Sequence, residues 1–181
     1  MWNDNARAKE KGFTFLELAV VITIISALAV VALDRYYKLL VDVERTSMEH
    51  DLGVMRSAIS LQVAGHYVAG NMAGLKRLVG SNPMDLLAEK PNNYLGEISP
   101  NSGAELEAGS WYYHPPQQAL IYLVRNRLYF DTELTGVPRA RFKIVPVYSE
   151  RKKEADRAQY LSGLRLKAVE PYRWLSPWDK D

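Results

Sequence analysis

Hydrophobic and polar positions divide the chain into three stretches. Residues 13–33 are apolar with a single charge, Glu17, and the 16 residues 18–33 carry none. As a helix, the 21 residues 13–33 span about 31 Å, which matches a bilayer hydrocarbon core of about 30 Å. Arg7, Lys9 and Lys11 lie before the run, and Asp34 and Arg35 follow at once. Three cations upstream favour leaving the N-terminus in the cytoplasm, with the bulk of the chain outside. A carboxylate inside a membrane segment is costly, so Glu17 reads as functional.

From 36 to 67 there is no proline, and the only glycines are Gly53 and Gly65. Leu40, Val43, Met48, Leu52, Met55, Ile59 and Val63 fall at steps of three to five, the apolar stripe of an amphipathic helix. Asp42, Glu44, Arg45, Glu49 and Arg56 are assigned to its other faces. The pattern predicts one continuous helix over 13–67, half in a membrane and half on a globular domain. The methionines in the stripe read as core packing. Each glycine weakens the helix by about 1 kcal/mol relative to alanine, and neither forces a break.

Beyond it, 72–79 reads as a short helix ended by Gly80. Asn82 then reads as an N-cap, Pro83 as the first position of a new helix, and Asp85 as its first-turn acid, with closure at 90–93. Met84, Leu86 and Leu87 give that helix something to bury. Residues 101–109 read as a loop. A β-meander is predicted over 110–114, 119–124 and 128–131, with turns at 115–118 and 125–126. Residues 139–148 alternate between core and water, and Pro146 argues for an edge position. Residues 149–157 read as a charged excursion and 164–169 as a last strand. Trp174 and Trp178 in the tail are placed to seal the sheet. A long helix, a connecting region and an antiparallel sheet make an α+β arrangement.

Composition narrows the function classes. With 181 residues the chain holds one domain plus an anchor. A net charge of +2 by itself implies no nucleic-acid partner, and the absence of cysteine excludes disulfides and thiolate chemistry. There is no phosphate-cradling glycine loop and no helical His-Glu-x-x-His. His50, His66 and His114 lack metal-ligand spacing. No catalytic residues, no metal site and no cofactor are therefore expected, and the chain does not read as an enzyme. Calcium at Asp131-Thr132-Glu133 would need backbone carbonyls to supply most of its six to eight oxygens. Arg139, Arg141 and Lys143 would line one face of a strand, with Arg151, Lys152 and Lys153 beyond. Such a patch can grip phosphates, but with a net charge near zero the favoured reading is a solvated edge guarded by charge against aggregation.

Three readings of the N-terminus compete. An ordinary single-pass anchor is one. A secretory signal peptide is another, but its apolar core is shorter, about 7–15 residues, and is followed by the cleavage site; here Ala27-Leu28-Ala29 is embedded in the core. The third places processing before the core, after Gly12. Gly12-Phe13-Thr14-Phe15-Leu16-Glu17, followed by an unbroken apolar run, resembles the type IV prepilin motif of type IV pilins, minor pilins and the pseudopilins of type II secretion. The resemblance covers about 22 residues. It implies that a prepilin peptidase cuts between Gly12 and Phe13, that Phe13 is then N-methylated, and that Glu17 serves assembly. It also implies a pilin-like α+β fold organised as a leader over 1–12, a transmembrane and filament-core helix over 13–33, and an amphipathic helix plus globular domain over 34–181. Implied partners are other pilin-like subunits and an inner-membrane assembly platform with its ATPase. The implied location is the bacterial inner membrane, then a periplasmic or extracellular filament. Many major pilins carry a proline soon after the apolar run; Asp34-Arg35-Tyr36 stands there instead. A minor subunit binding DNA, a surface or secreted cargo at a filament tip is the alternative.

Overall fold

The structure is a computed structural model that describes residues 13–99, 106–153 and 156–178, with backbone only at 150–153 and 156–158. The chain separates into two compact units, one ending at Leu40 and the other beginning at Val41. Helix α1, Phe15–Val68, is unbroken for 54 residues, through Asp34-Arg35-Tyr36 and through Gly53 and Gly65.

In the second unit, α1 buries Val41, Met48, Leu52, Met55 and Ile59, each no more than 2% exposed. Their steps of three, four and seven keep them on one face. The upper end of the expected stripe was one residue out of register, since Leu40 and Val43 are exposed. The step of five from Val43 to Met48 turns the helix well past one revolution, whereas 41, 44 and 48 stay aligned. Position 44 on that buried line is a glutamate.

The sheet has five strands in the order β1-β2-β3-β5-β6: β1 Tyr94–Glu97, β2 Trp111–His114, β3 Ala119–Leu123, β5 Arg139–Lys153 and β6 Asp156–Ala168. All neighbours are antiparallel except β1, which runs parallel to β2. Two further strands, β4 Phe130–Thr132 and β7 Tyr172–Trp174, pair separately. One core joins α1 to the inner face of the sheet through Trp111, Tyr122, Phe142, Ile144 and Leu166. The Trp111 ring lies 4.7 Å from that of Tyr122 and 5.8 Å from that of Phe142. On the outer face Tyr112, Ala119, Ile121 and Leu123 form a smaller cluster with Ile98 and Leu106.

The connecting region follows its capping residues. Helix α2, Met72–Arg77, starts at Asn71, whose side chain accepts from the Gly74 N–H at 2.8 Å. Gly80 takes φ +70°, a backbone shape open to glycine, and its N–H reaches the Ile144 carbonyl. Asn82 caps Pro83–Leu86 as expected, but this is one 3-10 turn, because Leu87 is already extended.

In the β region one strand was not anticipated and two expectations are corrected. Residues 94–97 form an edge strand although only four residues long. Residues 128–131 leave the meander: a 3-10 turn at Arg127–Tyr129 redirects the chain so that β4 pairs with the tail strand β7. Residues 149–153 and 156–157 are not an excursion, since β5 and β6 stay paired from Ser149↔Tyr160 to Lys153↔Asp156. Polar side chains there do not oppose pairing, because ladder bonds use the backbone alone. Pro146 lies beyond 139–142, the stretch of β5 in register with β3, so its missing N–H removes no bond from that ladder. Trp174 packs edge-on against Phe130 at 5.0 Å, while Trp178 is exposed.

Three α1 carboxylates fasten the later chain. Glu44 Oε1 accepts from the Arg125 N–H (2.6 Å) and the Tyr122 hydroxyl (3.1 Å), and Oε2 from the Asn126 N–H (2.8 Å) and Nδ2 (2.6 Å). Asp51 Oδ2 accepts the Trp111 indole N–H at 2.8 Å, and Asp42 Oδ2 that of Trp178 at 2.8 Å. Burial first, and then the Glu44 charge and hydrogen bond, push the Tyr122 phenol far above its usual range. Burial raises the Asp51 carboxyl, against the opposing pull of the Trp111 bond and the His50 charge.

Glu44→Ala leaves two backbone N–H groups and a buried hydroxyl without their acceptor. It should cost about 2–4 kcal/mol in urea unfolding of the detergent-solubilised chain, and Glu44→Gln should also destabilise, by presenting an amide donor to donors. A loss under about 0.5 kcal/mol would contradict this role.

An acid whose carboxyl is raised on folding lends stability below its unfolded value and loses it as pH rises through the folded one. Asp51→Asn keeps an acceptor for Trp111 without a charge to desolvate. Its melting temperature should therefore equal or exceed wild type at about pH 7.5, and the gap should close near pH 3.5. A gap that widens in acid would contradict the assignment.

Candidate functional site

The first unit contains the residues that the sequence singled out. Phe13 and Thr14 precede α1. Thr14 Oγ1 accepts the Glu17 N–H at 3.2 Å, and the Thr14 carbonyl accepts the Leu18 N–H at 3.1 Å. Thr14-x-x-Glu17 is the spacing of a capping box, with threonine at the N-cap and the acid three residues on. Glu17 thus occupies the first turn, where the positive end of the helix dipole favours a carboxylate. This local role is readable from the sequence alone, and it explains how the helix can start two residues after the expected processing point.

Every residue from 13 to 37 is exposed. Phe13 is 79% exposed, Phe15 87% and Leu28 65%. The hydroxyls inside the run are satisfied by their own helix: Thr23 Oγ1 donates to the Ala19 carbonyl and Ser26 Oγ to that of Ile22, both at 2.8 Å. What remains beyond Glu17 is an apolar rod whose hydroxyls need no water. It is long enough to cross a membrane, and none of it is covered within the described chain. A helix hydrophobic on all sides belongs in lipid or among other helices. Charge returns immediately after it, with Lys38 paired to Asp34 at 3.3 Å.

Gly12 and the leader 1–12 lie outside the described residues. No ion pair joins Glu17 among the described residues, so its carboxylate remains available to a cation from elsewhere.

The remaining candidate features belong to the second unit. Arg139, Arg141 and Lys143 share the outer face of β5, yet two of them are engaged locally. Arg139 Nη1 donates to the carbonyls of Thr135 (3.2 Å) and Val137 (3.0 Å). Arg141 is held by both oxygens of Glu170 and by Gln117. The Glu170 hydrogen bond keeps its guanidinium above the usual range. Lys143 stands opposite Lys167. The side chains of Arg151, Lys152 and Lys153 lie outside the description. Asp131 Oδ2 meets Arg173 Nη2 at 3.3 Å, and among the described residues no three His, Cys, Asp or Glu side chains group to hold a metal. His114 Nδ1 accepts the Gln117 N–H at 3.2 Å.

Sequence reasoning missed Glu44 and Asp51 as structural acceptors. The available signal was an acid on the three-and-four line of the buried stripe, in a chain with tyrosine and tryptophan donors to match.

Residues 7–33 match a known family, the prokaryotic N-terminal methylation motif. The chain therefore carries the type IV prepilin-like signal, and within the matched stretch residues 15–33 form the uncovered apolar helix. No curated protein and no solved structure matches the chain.

Proposed function

We propose that this chain is a structural subunit of a type IV pilus or a type II secretion pseudopilus, assembled through the N-terminal half of α1. The observation that carries the reading is an exposed, wholly apolar helix whose one charge, Glu17, sits in its first turn, within a methylation motif. The subunit waits in the inner membrane with Arg7, Lys9 and Lys11 on the cytoplasmic side. A prepilin peptidase cuts between Gly12 and Phe13, and Phe13 becomes N-methylated.

The chemistry follows from dielectric cost. Among bundled apolar helices a carboxylate is stable only against a cation and good donors. Processing creates such a cation, the α-amino group of Phe13, at the end of every copy. Pairing of Glu17 in one subunit with Phe13 of its neighbour would set axial register, as a lone polar group does in a coiled coil. Ala19, Ala27 and Ala29 allow close helix approach where no water is expelled to drive association. The chain's role is structural and needs no cofactor; an assembly platform with its ATPase supplies the work. A minor subunit at the tip is the second reading, favoured by the lack of a proline after the apolar run.

Intact mass with N-terminal sequencing of membrane-purified material should show loss of 12 residues and a methyl group on Phe13. Material that begins only at Met1 would refute processing. Glu17→Val should leave cleavage and membrane insertion unchanged while abolishing recovery in sheared filaments. Incorporation at the wild-type level would remove Glu17 from assembly.

A further inference from the structure

An aromatic pair closes the far end of the bare helix. Tyr36 and Tyr37 follow the charged step Asp34-Arg35 and are 55% and 65% exposed. Their rings meet edge to face, with centroids 6.1 Å apart. Among the described residues neither hydroxyl has a hydrogen-bond partner. Each side chain therefore presents an apolar body and a free polar tip. That chemistry places tyrosine where hydrocarbon gives way to lipid headgroups.

Spacing along α1 agrees with that placement. From Phe15, itself exposed, the helix rises about 32 Å to Tyr36, close to the roughly 30 Å of a hydrocarbon core. From Glu17 the rise to Tyr36 is about 29 Å. The charges beside the pair fix depth less sharply. Asp34 is neutralised by Lys38 at 3.3 Å, one turn on. The long stem of an arginine such as Arg35 lets its head stay in water while the helix shifts. A tyrosine ring on its short stem has no such slack.

Resting on the membrane-stored reading above, we infer that Tyr36 and Tyr37 form an interfacial anchor. It binds the phospholipid headgroup layer on the side away from the leader and sets the depth of the helix. Lipid is the occupant because the rings continue an apolar span of bilayer length. A dry helix bundle would bury their hydroxyls unpaired, at a cost that headgroups and water avoid. With the rings in that layer, Glu17 lies at the opposite margin of the hydrocarbon, within reach of the headgroups on the leader side. The carboxylate is then stored at the edge of the membrane, where a charge costs far less than at its centre.

The absence of cysteine allows a single reporter in the full chain. The chain with a spin label on Leu18→Cys is reconstituted in phosphatidylethanolamine–phosphatidylglycerol vesicles, and label depth is read from its accessibility to oxygen and to a nickel chelate. The pair is then moved one turn toward the leader, by Ala32→Tyr and Leu33→Tyr with Tyr36→Ala and Tyr37→Ala. The label should follow the pair and sink about 6 Å deeper. Tyr36→Trp with Tyr37→Trp should leave it at the wild-type depth. A label that stays within about 1.5 Å of that depth when the pair is moved overturns the anchor and leaves the Glu17 pairing standing. A wild-type depth that changes as the protein is diluted in lipid would show that a second copy holds the rings, and likewise overturns it. A chain that alkaline carbonate strips from the vesicles removes the membrane span, and the assembly reading with it.

Discussion

An apolar helix that its own chain leaves bare sets the terms for this protein. From 13 to 37 every residue is exposed, and the Thr23 and Ser26 hydroxyls within the run are bonded to their own backbone. Water is a poor solvent for such a surface. A helix apolar on all sides belongs in lipid or among other helices. Glu17 matters because it is the one group there that lipid serves badly. Its first-turn position, with Thr14 capping the helix, gives it a favourable local field but no neutralising partner.

The second unit solves a related problem by opposite means. Glu44 is almost wholly buried, yet its two oxygens take four donors from the segment around β3. A buried carboxylate so surrounded fixes where the chain leaves β3 and turns toward β4. Asp51 and Asp42 repeat the device more weakly at Trp111 and Trp178. The helix therefore offers the sheet more than an apolar stripe: it offers acceptors at set positions, which select one docking register among several that hydrophobic contact alone would permit.

The local signals in the sequence were strong where chemistry is short-range. The 3.6-residue period located α1 to within two residues at its start and one at its end, and Asn82 and Gly80 marked their turns. Aromatic and apolar β-prone runs located β2 and β3, and alternation located the inner part of β5. What could not be read depended on partners distant along the chain. Whether 128–131 continues the meander is settled by Trp174 and Tyr172 packing on Phe130. Whether Glu44 points to water or inward is settled by N–H groups some eighty residues later. The polar arm of the β5–β6 hairpin misled because backbone pairing needs no apolar side chain. For the candidate site the sequence reading named Phe13 and Glu17 and quoted Thr14 within the motif, but not its capping role, which is visible as soon as the helix start is fixed. The basic residues on β5 were correctly placed on one face, but the claim that Glu170 makes on Arg141 needed the structure.

The proposed pairing of Glu17 with a neighbour's amino terminus can be tested without perturbing either group. Two batches of subunit, one carrying 15N-phenylalanine and the other 13C-glutamate, are mixed before assembly and examined by solid-state NMR dipolar recoupling. A contact across subunits at ion-pair distance, within about 4 Å between charged atoms, should dephase the Glu17 carboxyl carbon against the methylated Phe13 nitrogen. A full-strength carboxyl signal with no dephasing, in filaments that contain both labels, would contradict it.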